Sequence, residues 1–365
     1  MEIDFSDRLR GVILGTAVGD AVGLPAEQLS PVVLEKLGWK DIWRHRLIWG
    51  RGMVSDDTEH TFMTAQSLLC CCDDAVRYQK ILAWKLRWWL VGLPAGVGQA
   101  TAEALIKLWI GFSPSKSGIK SAGNGPAMRS AILGAFFHND KERLYKFVRL
   151  STQLTHTDPK ALVGALAVAH AASMAVQLPD GQSPDTGEVI RFMLELAPDD
   201  REWVDIMETM QQACNEKKEV ADLAVDLGLA EGITGYIYDT VPVCLYAWLR
   251  HYGDFRATVE SALNCGGDAD TTGAIAGALA GGSVGEAGIP ESWIADICDW
   301  PRSVNLYRKA ADRLARKWTN EKNVGPVRYF WPGVLVRNLV FLIIVLGHYV
   351  LRLTPLALQK RIYGR

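Results

Sequence analysis

Two acidic clusters, Ser55-Asp56-Asp57-Thr58-Glu59 and Gly266-Gly267-Asp268-Ala269-Asp270-Thr271, stand far apart in the chain yet carry one chemistry. Each places two aspartates and a hydroxyl within a few residues. Ionised carboxylates crowded this closely repel one another, and burying them without a cation is very costly. An all-oxygen donor set with no His or Cys beside it selects a hard cation, so Mg²⁺ or Mn²⁺ is the expected occupant. A single cluster reads equally well as helix capping, because Ser and Asp accept from free backbone N–H groups and suit the positive end of the helix dipole. The second cluster, at the head of a Gly/Ala-rich run, favours two helix N-termini that face each other around a pair of divalent ions. Such a centre orients a water and polarises a substrate oxygen.

Three further segments could contribute. Glu27 follows Leu24-Pro25-Ala26 on a loop, where an acid can ligate metal, move a proton, or simply be solvated. Ser121-Ala122-Gly123-Asn124-Gly125-Pro126-Ala127-Met128-Arg129 combines glycines that allow close backbone approach with a helix start that can receive phosphate. His156, in Thr155-His156-Thr157-Asp158-Pro159, reads as a ligand contact or as part of a helix cap. The alternative of a diphosphate-dependent helical enzyme fits poorly, since Thr61 stands where a second aspartate would be needed one turn after Asp57.

The elements that must position these groups are helical. Gly11, Gly15, Gly19 and Gly23 recur every four residues, as do Gly273, Gly277 and Gly281, and Ala161, Ala165 and Ala169. Each series lies on one helical face. Glycine costs a helix about 1 kcal/mol relative to alanine, so these stripes predict helices that approach closely enough to recover the loss in packing. Further helices are expected at 58–72, 75–90, 130–137, 141–152, 188–197, 202–214, 240–252, 255–263 and 304–319. Alternating β-branched runs are nearly absent, which favours an all-α fold. Residues 339–346 are apolar on every side, flanked by Arg337 and Asn338 and by His348 and Arg352. That run is shorter than the ~20 apolar residues a spanning helix needs. With Tyr329, Phe330, Trp331, Lys360, Arg361 and Arg365 it suits a packed or subunit-contacting helix first, a membrane-surface helix second and a spanning helix third.

Composition narrows the partners. A formal net charge of -2 gives no sign of a polyanion-binding surface, so nucleic acid is not expected. The seven cysteines, three of them consecutive at Cys70, Cys71 and Cys72, make a poor disulfide framework and suit a reducing cytoplasm. Met1-Glu2-Ile3-Asp4-Phe5 carries no apolar export signal. The expected setting is cytoplasmic, with a membrane association through the C-terminal segment held open.

In chain order, GTAVGDAVGLPAE, SDDTEHTFM, GNGPAMR, THTDPKALVGA, DTVPVCLYAW and GGDADTTGAIAGALAGG resemble the ADP-ribosylglycohydrolase family, the group of dinitrogenase-reductase-activating glycohydrolases and ADP-ribosyl-acceptor hydrolases. The resemblance runs from about Leu9 to about Trp318. It implies a compact, single-domain orthogonal helical bundle over residues 1–320, with the apolar and basic segment 321–365 as an appendage. It implies a cleft for ADP-ribose above two Mg²⁺ or Mn²⁺ ions. By matching motif, Ser55, Asp56 and Asp57 would hold metal from one side and Asp268, Asp270 and Thr271 from the other. Asp56 or Glu27 would act as acid or base. Gly123, Asn124, Gly125 and Met128 would bind ADP-ribose, with His156 near its diphosphate and adenosine. The implied reaction is metal-dependent removal of ADP-ribose from a modified protein side chain, in the pattern of the arginine-linked branch. Serine-linked or small-molecule ADP-ribose is the alternative substrate, and a non-catalytic ADP-ribose binder is a further alternative that the intact aspartates argue against. His60, Pro126 and Ala269 depart from the family's usual residues.

Overall fold

The two glycine stripes form the centre of the molecule. The computed structural model describes residues 3–363 apart from 72, 320, 322 and 323, with side chains through 360. Met1, Glu2, Cys72, the Arg361 side chain and Arg365 lie outside the described residues. Helices Phe5–Gly23 and Ala269–Val284 pack antiparallel, Gly11 opposite Gly281, Gly15 opposite Gly277 and Gly19 opposite Gly273. A Cβ at any of these positions would run into the carbonyl of its opposite number, so only glycine allows the approach. The third stripe lies on helix Pro159–Gln177, where the backbone at Ala169 touches Gly134 of helix Ala131–Phe136. Backbones in contact gain dispersion energy along the whole interface, which offsets the poor helix propensity of glycine.

The remaining helices wrap this centre around one contiguous apolar core. Among the described residues no strand forms, and extended segments meet only in isolated bridges. The fold is therefore all-α. Helix Asp56–Cys70 begins two residues before the expected start, and Ile237–Arg250 begins earlier still and carries Pro242 inside it. Short helices Pro31–Leu37, Gln99–Trp109, Gly125–Met128, Val220–Asp226 and Glu291–Ala295 have no counterpart in the sequence reading. Most are two turns or fewer, too short for periodicity to emerge from the noise.

The C-terminal segment is fastened to the body. Gln66 holds the backbone of Val327 from both sides, accepting from its N–H at 2.8 Å and donating to its carbonyl at 2.7 Å. Helix Pro332–Arg352 then docks by its polar residues. Arg337 forms two hydrogen bonds of 2.8 Å to Asp299, and Asn338 Nδ2 donates to the Gly92 carbonyl at 2.7 Å. His348 Nε2 lies 2.7 Å from the Leu47 carbonyl, and Arg352 donates to the carbonyls of Glu27 and Pro25 at 2.7 and 2.8 Å.

Candidate active site

The first acidic cluster opens helix Asp56–Cys70. Ser55 occupies the cap position, its Oγ accepting from the Asp57 N–H at 3.3 Å and donating to Asp57 Oδ2 at 3.0 Å. Behind the cap stands Asp20, from the glycine-striped helix Phe5–Gly23. Both its oxygens accept from the Ser55 N–H at 2.9 Å, and Oδ2 also takes the N–H and hydroxyl of Thr58 at 3.2 and 2.5 Å. Asp20 thus clamps the turn that carries Asp56 and Asp57. Burial pushes its carboxyl up to about 7 against the pull of those hydrogen bonds.

The second cluster is set by a left-handed turn. Gly266 and Gly267 have φ of 65° and 81°, a conformation that L side chains resist. Here the Gly267 N–H donates to the Leu29 carbonyl at 2.8 Å, its carbonyl accepts from the Gln28 N–H at 2.6 Å, and the Asp268 N–H donates to Ile233 at 2.8 Å. The turn thereby sews the Glu27 loop to the head of helix Ala269–Val284. Asp268 sits at the cap position but its carboxylate caps nothing. It accepts instead from Asn124 Nδ2 at 2.7 Å. Thr271 reaches across to the first cluster, its hydroxyl donating to Asp57 Oδ2 at 3.4 Å.

The two helix starts therefore meet, and their charges accumulate. Burial, then the charges of Asp56, Asp20 and Asp268, push Asp57 well above the usual carboxylate range. Burial and Glu27, Asp268 and Asp57 do the same to Asp270, and burial with Asp20 and Glu59 to Asp56. Glu27 is raised by burial and by Asp268. Among the described residues no Lys, Arg or His forms an ion pair with any of these aspartates. Asp57 Oδ1 is buried with no hydrogen-bond partner. An orphaned carboxylate oxygen inside a cluster of uncompensated acids fits a divalent cation. Among the described residues no three acidic, His or Cys side chains close on one point. The donors come as carboxylates mixed with the Ser55 and Thr271 hydroxyls, a set suited to hard ions that keep several waters.

Above the acids lies a cleft of about 490 Å³ with Glu27, Asp56, Asp268, Asp270 and Thr271 at its floor and Gly123, Asn124, Gly125, Met128 and His156 on its wall. Arg129 Nη2 donates to Thr155 Oγ1 at 2.7 Å, and that hydroxyl lies 2.8 Å from His156 Nδ1. With the arginine as one donor to Thr155, the arrangement that uses every proton has the hydroxyl donate to Nδ1 and Nε2 of His156 carry the ring proton. Burial, helped by Arg129, holds His156 down to about 3, so it is a neutral donor. The ring lies against Gly123 and Gly125, where a Cβ would stand 3.1 and 3.2 Å from it. Asn124 lines the cleft, but its amide is spent on Asp268 and on Thr240 Oγ1, the latter at 3.0 Å.

Chain similarity accords with this geometry. A family model described as ADP-ribosylglycohydrolase matches residues 1–323. The chain belongs to the ADP-ribosylglycohydrolase family. An uncharacterized protein of Archaeoglobus fulgidus is 30% identical over 80% of this chain and 92% of its own length. The ADP-ribosylhydrolase ARH3 of Gallus gallus is 27% identical over 78% of this chain and 88% of its own. The ADP-ribosyl-[dinitrogen reductase] glycohydrolase of Rhodospirillum rubrum is 25% identical over 80% and 90%. A solved ADP-ribosylglycohydrolase-related protein complex superposes with a TM-score of 0.59 at 25% identity, over 86% of this chain and 99% of that one. Members of the ADP-ribosylglycohydrolase family are hydrolases of ADP-ribose linkages, generally dependent on a divalent metal, and the chain is an enzyme of that class.

Four residues of this glycohydrolase escaped the sequence reading. Asp20 and Thr58 form the clamp beneath the turn that carries Asp56 and Asp57, and Arg129 and Thr155 form the hydrogen-bonded chain behind His156. The signal for Asp20 was a carboxylate in a stripe of glycines, where no solvated acid belongs. Glu59, in the same pentapeptide as Asp56, turns away to pair with Arg302 Nη2 at 2.5 Å and with Trp89 Nε1. His60 also faces inward, its Nδ1 3.2 Å from Arg129 Nη1.

Proposed function

We propose that the chain cleaves the N-glycosidic bond between C1″ of ADP-ribose and an arginine of a modified protein, with two Mg²⁺ or Mn²⁺ ions at the acidic floor. The observation that carries the reading is the cluster of uncompensated carboxylates, with Asp57 Oδ1 orphaned, beneath a cleft large enough for a nucleotide diphosphate. Ser55, Asp56, Asp57, Asp268, Asp270 and Thr271 would hold the ions, which when bound supply Lewis acidity at the ribose hydroxyls and neutralise the acids.

The chain's own groups do the rest. Glycoside cleavage passes through an oxocarbenium-like ribose, which surrounding carboxylates stabilise. Asp56 and Glu27, both half-buried at the floor, are the carboxylates placed to take a proton from the attacking water. The C1″–N bond breaks with its electron pair passing to the guanidino nitrogen, and the departing arginine keeps its proton balance through the same carboxylate. His156 Nε2–H donates to a diphosphate oxygen without carrying charge. Asn124 holds Asp268 in place. Cys71, Cys214, Cys244, Cys265 and Cys298 are free thiols, which suits the cytoplasmic setting we propose.

The test is release of free ADP-ribose from an arginine-ADP-ribosylated protein and, in parallel, from a serine-ADP-ribosylated one, each with Mg²⁺ and after chelation. Metal-dependent release from the arginine substrate supports the reading. Release from the serine substrate alone overturns the linkage, and release that survives chelation overturns the metal assignment.

A further inference from the structure

Helix Pro332–Arg352 has an inverted construction. Its polar residues Arg337, Asn338, His348 and Arg352 face the protein beside the buried Val334 and Phe341, and most of its other apolar residues face out. Ile343 is 70% exposed, Val350 65%, Val336 59% and Leu346 53%. Together with Leu339 and Val340 they form an aliphatic stripe along about 21 Å of helix. An exposed apolar patch of this extent on a folded domain marks a contact surface.

Two observations say what covers it. Aromatic rings gather at the start of the helix: Trp331, at its cap, packs on Trp88, which packs in turn on Trp84 and Trp109, while the preceding Phe330 pairs with Trp300. Trp84, Trp88 and Trp109 are themselves partly solvent-exposed. Tryptophans at the edge of an apolar surface are the signature of the headgroup region of a bilayer. The charge is also of one sign. Residues 328–365 contain no Asp or Glu, Arg328 and Lys360 are exposed, and helix Ala75–Val91, which carries Trp84 and Trp88, exposes Arg77 and Lys80 and has no acid. A second copy of the chain would bring this positive surface against itself, whereas anionic lipid complements it.

We infer that this face docks in the plane of an anionic membrane surface, the aliphatic stripe entering the acyl boundary and the tryptophans seating among the headgroups. The helix does not cross the bilayer. Crossing would strip Arg337 from Asp299 and from the Val54 carbonyl, which it reaches at 2.5 Å, and would strand a buried carboxylate. Membrane docking stands apart from the hydrolase reading, because none of the stripe residues lines the cleft.

The experiment is co-sedimentation of the full chain with vesicles of phosphatidylcholine alone and of phosphatidylcholine with phosphatidylglycerol. Binding is expected to the anionic vesicles and to weaken as salt rises. Ile343→Glu combined with Val350→Glu, on exposed positions, should bind roughly tenfold more weakly with an unchanged melting temperature. Lipids brominated near the headgroup should quench the tryptophans of the unsubstituted chain more than lipids brominated near the chain ends. Failure to sediment with either vesicle overturns the proposal. So does equal quenching at both depths, which means a spanning helix, or a solution dimer that the double substitution splits, which means a second copy covers the stripe.

Discussion

Asp57 presents two oxygens with opposite fates. Oδ2 accepts from the hydroxyls of Ser55 and Thr271, and Oδ1 has no donor at all. In the metal-free chain the charge on Asp57 is therefore a liability. Asp57→Asn is expected to leave the metal-free melting temperature unchanged or raise it by the equivalent of about 1 kcal/mol, and to lower hydrolysis at least ~10²-fold. Melting curves and ADP-ribose release on the same preparation check both. The pH dependence has a definite sign. The raised carboxyls of Asp57, Asp56 and Asp270 keep protons in the folded metal-free chain that the unfolded chain gives up above the ordinary value of 3.8. Rising pH therefore favours unfolding, until it passes the folded-state values, of which that of Asp20 is about 7. Mg²⁺ removes the effect, so the gap in melting temperature between metal-loaded and metal-free chain should widen from pH 5 to pH 8. The meeting of the two acidic clusters was legible because a second crowded pair of aspartates at a helix start is hard to explain as capping alone. Asp20 was not, because its partners Ser55 and Thr58 become its neighbours only after folding.

The helices obey a simpler rule, and more of it was visible beforehand. A small residue at every fourth position defines a face, and three such faces became two close backbone contacts of the core, one between the two glycine stripes and one at Ala169. Gly277→Val places a branched side chain against the Gly15 carbonyl and the neighbouring helix. Overpacking of this kind typically costs ~1–3 kcal/mol, and two rigid backbones put the expected loss at the upper end or beyond. Circular dichroism melts of Gly277→Val against Gly277→Ala should show graded losses, while a comparable change at exposed Gly98 has little effect. Helix Pro332–Arg352 packs on the domain, as its first-ranked reading had it, but by a means the apolar run did not show. Arg337 and Asn338, which flank that run, are its attachment points. Their acceptors, Asp299 and the Gly92 carbonyl, lie in segments with no sequence pattern of their own.

At the scale of the whole molecule, the acidic floor of the cleft and the core are one construction, since the stripe that joins helices Phe5–Gly23 and Ala269–Val284 ends at Gly23 and Ala269, beside Glu27 and Asp268. The all-α class and the pairing of the acidic clusters could be argued from sequence. The antiparallel partnership itself could not, because two equivalent stripes do not specify which faces which. That partnership has a consequence for synthesis on the ribosome. Helix Phe5–Gly23 is translated well before its principal partner and is apolar enough in length and composition to enter a membrane. More than two hundred residues separate it from helix Ala269–Val284. Contacts of such wide sequence separation form slowly, and exposed apolar segments aggregate while they wait. Nascent chains stalled before Ala269 should accordingly remain protease-sensitive and bound to chaperones, and chains released after Val284 has cleared the exit tunnel should become resistant in a single step.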